Sequence, residues 1–135
     1  MTDFPTLLSN MDTFPPLDDA AIDAELAKKF PAASLPPDYR EFMRYTNGIM
    51  GPPDPEPGFI SLHPLDGSDD SFVTFDEDGL PGRVMIGYNG GSYYYAVRPG
   101  GPPMYVEIAV EECFEERDLG PTMADLLSNR TVVGG

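Results

Sequence analysis

The sequence predicts a single α+β domain, in which helices come first, a largely antiparallel sheet follows and two or three helices pack against it. Three observations support this fold class. Apolar residues recur at helical spacing up to residue 48, three apolar runs separated by turn signals occupy residues 83–110, and a last helical pattern follows residue 121. We expect all 135 residues to form one domain, with a core at about residues 18–128 and flexible termini.

The first predicted helix presents Ile22, Leu26 and Phe30 on one face, and either Asp18 or Asp19 can cap its start. Residues 1–16 before it are apolar in spots and are expected to form a short helix or an arm over the core.

The second predicted helix follows Pro36-Pro37 and has Asp38 in its first turn, where an acid suits the helix dipole. Asn47-Gly48 supplies a residue that tolerates positive φ, which typically ends a helix. Its apolar face comprises Tyr39, Phe42, Met43 and Thr46.

Strands are expected from residue 59 onwards, at residues 59–62, 83–88, 92–98 and 104–110, with a sheet-edge candidate at 72–75. Asn89-Gly90 is a strong hairpin signal, so the last three strands should form an antiparallel meander. Alternation places Tyr94 on one face and Tyr93 and Tyr95 on the other. Thr122 can cap a closing helix, and residues 131–135 are expected to fray.

Two strings of residues resemble a known family. The segment Leu35-Pro36-Pro37-Asp38-Tyr39-Arg40-Glu41-Phe42-Met43, followed by Asn47-Gly48, is similar to the pattern of the SUKH superfamily of cell-wall-assembly-regulator-like domains. Val84-Met85-Ile86-Gly87 and the Gly90-Gly91 turn resemble its second hallmark, although Ser92 stands where an Asp is common. The resemblance implies a mixed or antiparallel sheet against helices. Many bacterial members resemble immunity proteins, and some eukaryotic members resemble regulatory adaptors.

Charge limits the classes of partner. The chain has 23 acidic and 8 basic residues and a net charge of -15. It should therefore repel phosphate backbones and anionic lipid, so neither nucleic acid nor a membrane is an expected partner. A basic partner is favoured, although solubility alone would explain the same counts. Residues 1–10 lack the basic and apolar segments of a secretory leader, no apolar run is long enough to span a membrane, and there is one cysteine, so we expect a cytoplasmic protein.

No residue pattern indicates catalysis, so we expect neither an enzyme nor a cofactor. His63 is predicted to be a surface residue at a strand end, and Cys113 a buried or half-buried structural thiol. The glycines of residues 87–92 suit a hairpin turn rather than a phosphate loop. Asp66, Ser68, Asp70 and Glu77 match an EF-hand spacing, but Ser71 replaces the required glycine, so no metal site is expected.

The acidic residues are unevenly placed. Residues 45–82 and 99–116 contain no Lys or Arg, whereas four of the eight basic residues lie in the two early helices. An acidic face would steer a basic partner, and an exposed tyrosine would anchor it. The candidate partner-binding residues are Asp66, Asp69, Asp70, Asp76, Glu77, Asp78, Tyr88, Asn89, Tyr93 and Tyr94.

These observations favour an immunity protein that binds and neutralises a cognate protein toxin through an acidic surface. The toxin would be basic, and nucleases are one candidate class because they must hold phosphate. The alternative is an intracellular adaptor or regulatory protein-binding domain without toxin neutralisation. An uncovered sheet edge would allow a weak homodimer, so the expected state is a monomer or a weak homodimer.

Overall fold

The computed structural model describes residues 3–30, 35–52, 58–67, 71–98 and 102–132. The helices within these ranges are α1 (Phe4–Leu7), α2 (Asp19–Lys29), α3 (Tyr39–Tyr45) and α4 (Met123–Asn129). The strands are β1 (Asp12–Thr13), β2 (Ile49–Gly51), β3 (Ile60–Leu62), β4 (Thr74–Phe75), β5 (Leu80–Tyr88), β6 (Tyr93–Arg98), β7 (Met104–Ala109) and β8 (Glu115–Gly120). The predicted α+β class is confirmed.

The eight strands form one antiparallel sheet, in which seven follow the order β1-β2-β3-β5-β6-β7-β8 and β4 pairs with β5 outside this path. Strand β5 is long enough to pair with β6 along one edge and with β3 and β4, end to end, along the other. The last four strands are consecutive in sequence and in space, so the predicted meander is present and has one strand more than expected.

Helices α2 and α4 begin at the capping groups that the sequence predicts. The Asp18 carboxylate accepts a hydrogen bond from the Ala21 amide at 2.8 Å and so caps α2. At α4, the Thr122 hydroxyl accepts from the Asp125 amide at 3.1 Å while the Asp125 carboxylate accepts from the Thr122 amide at 3.2 Å. This reciprocal capping box satisfies two amides that the helix itself leaves unpaired.

The sheet has two apolar faces. Tyr95, Val97 and Tyr105 point towards the helices and pack in the main core with side chains of all four helices; we call this the helix face. Ala96, Val106 and Ile108 point the opposite way, and Phe75 covers them. This second side is called the outer face, and five partly buried apolar side chains surround its centre: Leu80, Met85, Tyr94, Met104 and Phe114. The predicted alternation of the three tyrosines is confirmed.

A close approach between β3 and β5 requires Gly87. A Cβ atom at this position would lie 2.3 Å from the Ser61 carbonyl oxygen and 2.6 Å from a methyl carbon of Leu62. Backbone and a buried core side chain cannot both move away cheaply, so the strands can pair at this distance only without a side chain here.

The Asp38 carboxylate joins three elements that are distant in sequence. It accepts a hydrogen bond from the Tyr105 hydroxyl of β7 at 2.9 Å and another from the Met123 amide of α4 at 2.7 Å. Asp38 precedes α3 but makes no side-chain cap with it, so the sequence-based reason for an acid here was incomplete. Burial, followed by the adjacent carboxylate, raises the pKa of Tyr105 well above its ordinary value.

His63 is buried, and its prediction as a surface residue was wrong. The imidazole is 8% exposed and packs between the rings of Phe72 and Tyr88, with centroid distances of 5.7 and 5.8 Å. Its backbone amide donates to the Ile86 carbonyl at 2.8 Å, which draws the residue after β3 against β5. Its Nε2 atom is enclosed and has no hydrogen-bond partner among the described residues, and burial lowers the pKa of the ring.

We expect Asp38→Asn to lower the free energy of unfolding by about 3 kcal/mol, because an amide cannot accept both buried hydrogen bonds and keep its own donors satisfied. Tyr105→Phe should cost about 1.5 kcal/mol. Urea denaturation of both single variants and the double variant measures the coupling energy between Asp38 and Tyr105. Because these two side chains share one hydrogen bond, the free energy of unfolding of the double variant should fall by about 1 kcal/mol less than the sum of the two single losses. Additive losses would contradict the assignment of this hydrogen bond.

Stability should also fall as the solution is acidified below about pH 6.5, the ordinary pKa of an unfolded histidine. Below that pH the unfolded chain binds a proton on His63, whereas the folded chain does not, because burial lowers the pKa of His63 in the folded state. His63→Phe removes the contribution of His63 protonation to the pH dependence of stability, and its ring fills the same apolar site. Urea midpoints at about pH 7.5 and about pH 5.5 should differ less for the variant than for the parent. Identical pH dependence in the two proteins would refute the argument.

Candidate partner-binding surface

The turn between β5 and β6 is held by a single side chain. The Asn89 amide oxygen accepts hydrogen bonds from the Gly91 amide at 2.9 Å and the Tyr93 amide at 3.2 Å, and Gly90 has a φ of +84°. These features follow from the Asn-Gly pair, since asparagine bonds locally to turn backbone and glycine adopts positive φ without strain. The hairpin predicted at this position is confirmed.

The turn between β7 and β8 lies beside this hairpin. The Val110 amide donates to the Ser92 carbonyl at 2.9 Å, which ties the two turns together. A short 3₁₀ turn at Val110–Glu112 is followed by Cys113 and Phe114, both with a φ of +59°. Left-handed backbone is unfavourable for side chains other than glycine and asparagine, so surrounding contacts must hold this turn. Cys113 is exposed, so its prediction as a buried or half-buried thiol was wrong.

A cavity of about 600 Å³ opens between the two turns. We call it the hairpin cleft. Its lining comprises Phe59, Asn89, Gly90, Gly91, Ser92, Tyr93, Ala109, Glu111 and Glu112. A smaller recess of about 140 Å³ adjoins it, shares Tyr93, Ala109 and Glu112 with it, and extends to Glu107, Glu115, Arg117 and Thr131.

The recess is organised around a buried carboxylate. Glu107 is 2% exposed and accepts hydrogen bonds from Arg117 at 3.0 Å and from the Thr131 amide and hydroxyl, each at 2.6 Å. Arg117 also donates to the Asn129 carbonyl at 2.7 Å. The chain after α4 is thus fixed to the sheet at Thr131, where fraying was expected; residues 133–135 lie outside the described residues.

Most basic side chains are paired with acids of the same chain. Arg83 and Arg98 lie on the outer face and bond to Glu116 and Asp118, with closest distances of 2.7 and 2.6 Å. The hydrogen bond to Glu116 raises the pKa of Arg83. On the helices, Arg40 pairs with Asp23, Arg44 with Asp19 and Lys29 with Glu25.

This pairing leaves two acidic turns without compensation. The first acidic turn, Asp76–Asp78, follows β4, and the second, Val110–Glu112, follows β7. None of the carboxylates in these two turns forms an ion pair with another described residue. Glu115, which follows the second turn, forms none with a described residue either. Phe75 and Phe114, which adjoin the two turns in sequence, are 6.3 Å apart between ring centroids. Their contact places both turns around the outer face.

The predicted site residues that the structure describes fall in four places. Asn89 and Tyr93 line the hairpin cleft, whereas Tyr88 and Tyr94 pair across β5 and β6 on the outer face. Asp76, Glu77 and Asp78 form the exposed first acidic turn. Asp66 is separate from these three groups, in the loop after β3, where it accepts a hydrogen bond from Asn47 at 2.8 Å. Asp69 and Asp70 lie outside the described residues.

Sequence reasoning missed Phe59, Glu111 and Glu112 as lining residues. The run of five acids without a base in residues 99–116 was the available signal, but only the β7–β8 turn shows which of them face the cleft.

Ser68 and Asp70 of the EF-hand-like spacing are outside the described residues. Among the described side chains, no three His, Cys, Asp or Glu groups converge as metal ligands would. Likewise, no described helix has the length and apolarity needed to cross a membrane.

The described residues therefore combine two uncompensated acidic turns, exposed aromatic rings and a cleft open to solvent. No curated protein sequence matches the chain. The model of the SMI1 / KNR4 family (SUKH-1) matches residues 16–129, which contain the last three helices and seven of the eight strands. The chain therefore belongs to the SMI1 / KNR4 family (SUKH-1), and the SUKH resemblance expected from its sequence is confirmed.

Proposed function

We propose that this chain is an immunity protein that binds a cognate toxin domain and neutralises it by occupying the toxin's basic surface. The observation that carries the proposal is the pair of acidic turns whose charges no described basic residue compensates. Membership of a SUKH family agrees with such a role, because many bacterial members resemble immunity proteins. In this proposal inhibition is stoichiometric, takes place in the cytoplasm and requires neither catalysis nor a cofactor.

The electrostatic argument concerns rate more than affinity. A net charge of -15 on a 135-residue chain produces a strong field, and the internal pairing of arginines leaves that field negative around the acidic turns. Uncompensated carboxylates on a surface accelerate the approach of a basic protein and orient it. A toxin that must hold phosphate presents the complementary charge.

Affinity would come from aromatic side chains near the acidic turns. Phe59 and Tyr88 are both 37% exposed, and Tyr93 and Tyr94 are half-buried. Rings that are partly packed in the free protein lose little freedom on binding and bury a large area, which is typical of interface hot spots. Acidic groups around such rings give a polar rim to an apolar centre.

Co-expression tests neutralisation directly. We expect this chain to restore growth of cells that produce the toxin domain encoded immediately upstream of its gene, because bound toxin cannot reach its substrate. The measurement is colony count with and without the chain, and an active-site variant of the toxin controls for expression burden. Binding without restored growth, or the absence of any toxin frame upstream, would favour the adaptor function instead.

Association with that toxin should slow by at least about ten-fold between about 50 mM and about 500 mM salt, because screening removes the steering field. At low salt, Glu77→Gln/Asp78→Asn should slow association, whereas Asp12→Asn/Glu41→Gln should not, because the control removes the same charge from β1, which pairs with β2 and not with β4 or β5, and from α3. Stopped-flow fluorescence measures these rates. A rate that is independent of salt would remove steering from the proposal.

A further inference from the structure

We propose that the hairpin cleft receives an arginine side chain from a basic segment of the partner. This inference rests on the proposed function and extends it, because it identifies the part of the surface that would recognise a particular side chain of the partner. The cleft volume of about 600 Å³ lies within the ordinary range for pockets that enclose a ligand group, so more than one side chain fits.

The walls of the hairpin cleft include two aromatic rings. Phe59 is 37% exposed and lies against the turn, where a Cβ atom on Gly90 would be only 3.4 Å from the ring. Tyr93 is half-buried at the boundary between the cleft and the recess. The Phe59 ring therefore borders the cleft beside Gly90, and a planar guanidinium can stack on such a ring.

The charged groups of the hairpin cleft are both acidic. Glu111 and Glu112 are exposed and line it, and no basic residue is among the described lining residues. The amide oxygen of Asn89 is already occupied by the Gly91 and Tyr93 amides, so the two carboxylates are the strong acceptors that an entering group meets. The Val110 to Ser92 hydrogen bond holds their turn against the hairpin.

This combination favours arginine over other occupants. Phosphates and carboxylates would meet two negative charges, and a purely apolar group would desolvate them without compensation. Lysine satisfies the charge but lacks the flat face that stacks on an aromatic ring, whereas arginine bonds to carboxylates and stacks at once. The adjoining recess contains an arginine of this chain: Arg117 donates to Glu107 there at 3.0 Å.

A titration of the whole chain with a capped peptide, acetyl-Gly-Arg-Gly-Arg-Gly-amide, tests the site without any toxin. Backbone amide shifts in ¹⁵N-labelled protein should concentrate on Phe59, on residues 89–93 and on the second acidic turn. The same peptide with citrulline for arginine keeps the shape and removes the charge, and it should not bind. Absence of binding by the arginine peptide, or shifts centred elsewhere, would overturn the inference.

Variants separate the cleft from general acidity. Glu111→Gln/Glu112→Gln should weaken peptide binding by about five-fold, which corresponds to two exposed charge-assisted contacts. The matched control Asp12→Asn/Glu41→Gln removes the same charge elsewhere and should leave the affinity unchanged, and Phe59→Ala should weaken it by about three-fold. Equal weakening by the matched control would show attraction to net charge only and overturn the inference.

The same variants distinguish this inference from the proposed function. In the growth assay, loss of rescue with Glu111→Gln/Glu112→Gln but not with Asp12→Asn/Glu41→Gln supports both. If a cleft variant that no longer binds the peptide fully restores growth, the cleft is not the site that recognises the partner. The proposed immunity function is then unaffected. Peptide binding at the cleft in a chain that never restores growth retains the cleft and refutes the immunity function.

Discussion

The buried carboxylate of Asp38 determines how the helices lie on the sheet. It binds the Tyr105 hydroxyl and the Met123 amide, so the start of α3, the start of β7 and the start of α4 meet at one point. Ala109, which lines the hairpin cleft, lies four positions after Tyr105 along β7. The starts of α3 and α4 are fixed beside Tyr105. The β5–β6 and β7–β8 turns lie at the other end of the meander, where they are exposed to solvent and the cleft opens.

Charge is divided between structure and surface. Arg83, Arg98 and Arg117 each pair with acids on β7 or β8, and these bonds hold the charged edge of the sheet together. Each of these pairs also consumes positive charge that would otherwise offset the acidic turns. The carboxylates of the two acidic turns therefore dominate the field near the outer face and the cleft, although the chain contains eight basic residues.

Elements whose signals are local could be predicted from the sequence. Asp18, Thr122 and Asn89 act through backbone amides at most four residues away, and each helix or hairpin they mark is present. Strand β8 could not be predicted, because Glu115–Gly120 is mostly charged and only Leu119 enters the core. Burial of His63 depends on Phe72 and Tyr88, and the hairpin cleft requires Phe59 and Glu112, which are far apart in sequence. The family motif marks the scaffold around α3, whereas the candidate site lies in turns that it does not describe.

The anchoring of Thr131 to Glu107 has a practical consequence for anyone who handles this protein. Thr131 is bonded in the recess that adjoins the hairpin cleft, so a group fused a few residues after it would be within reach of the surface to be measured. A purification tag or a biosensor linkage at the carboxyl terminus would crowd that surface and carry its own charges into it. Attachment through the amino terminus, where Phe4 packs in the main core on the helix face, keeps the cleft open.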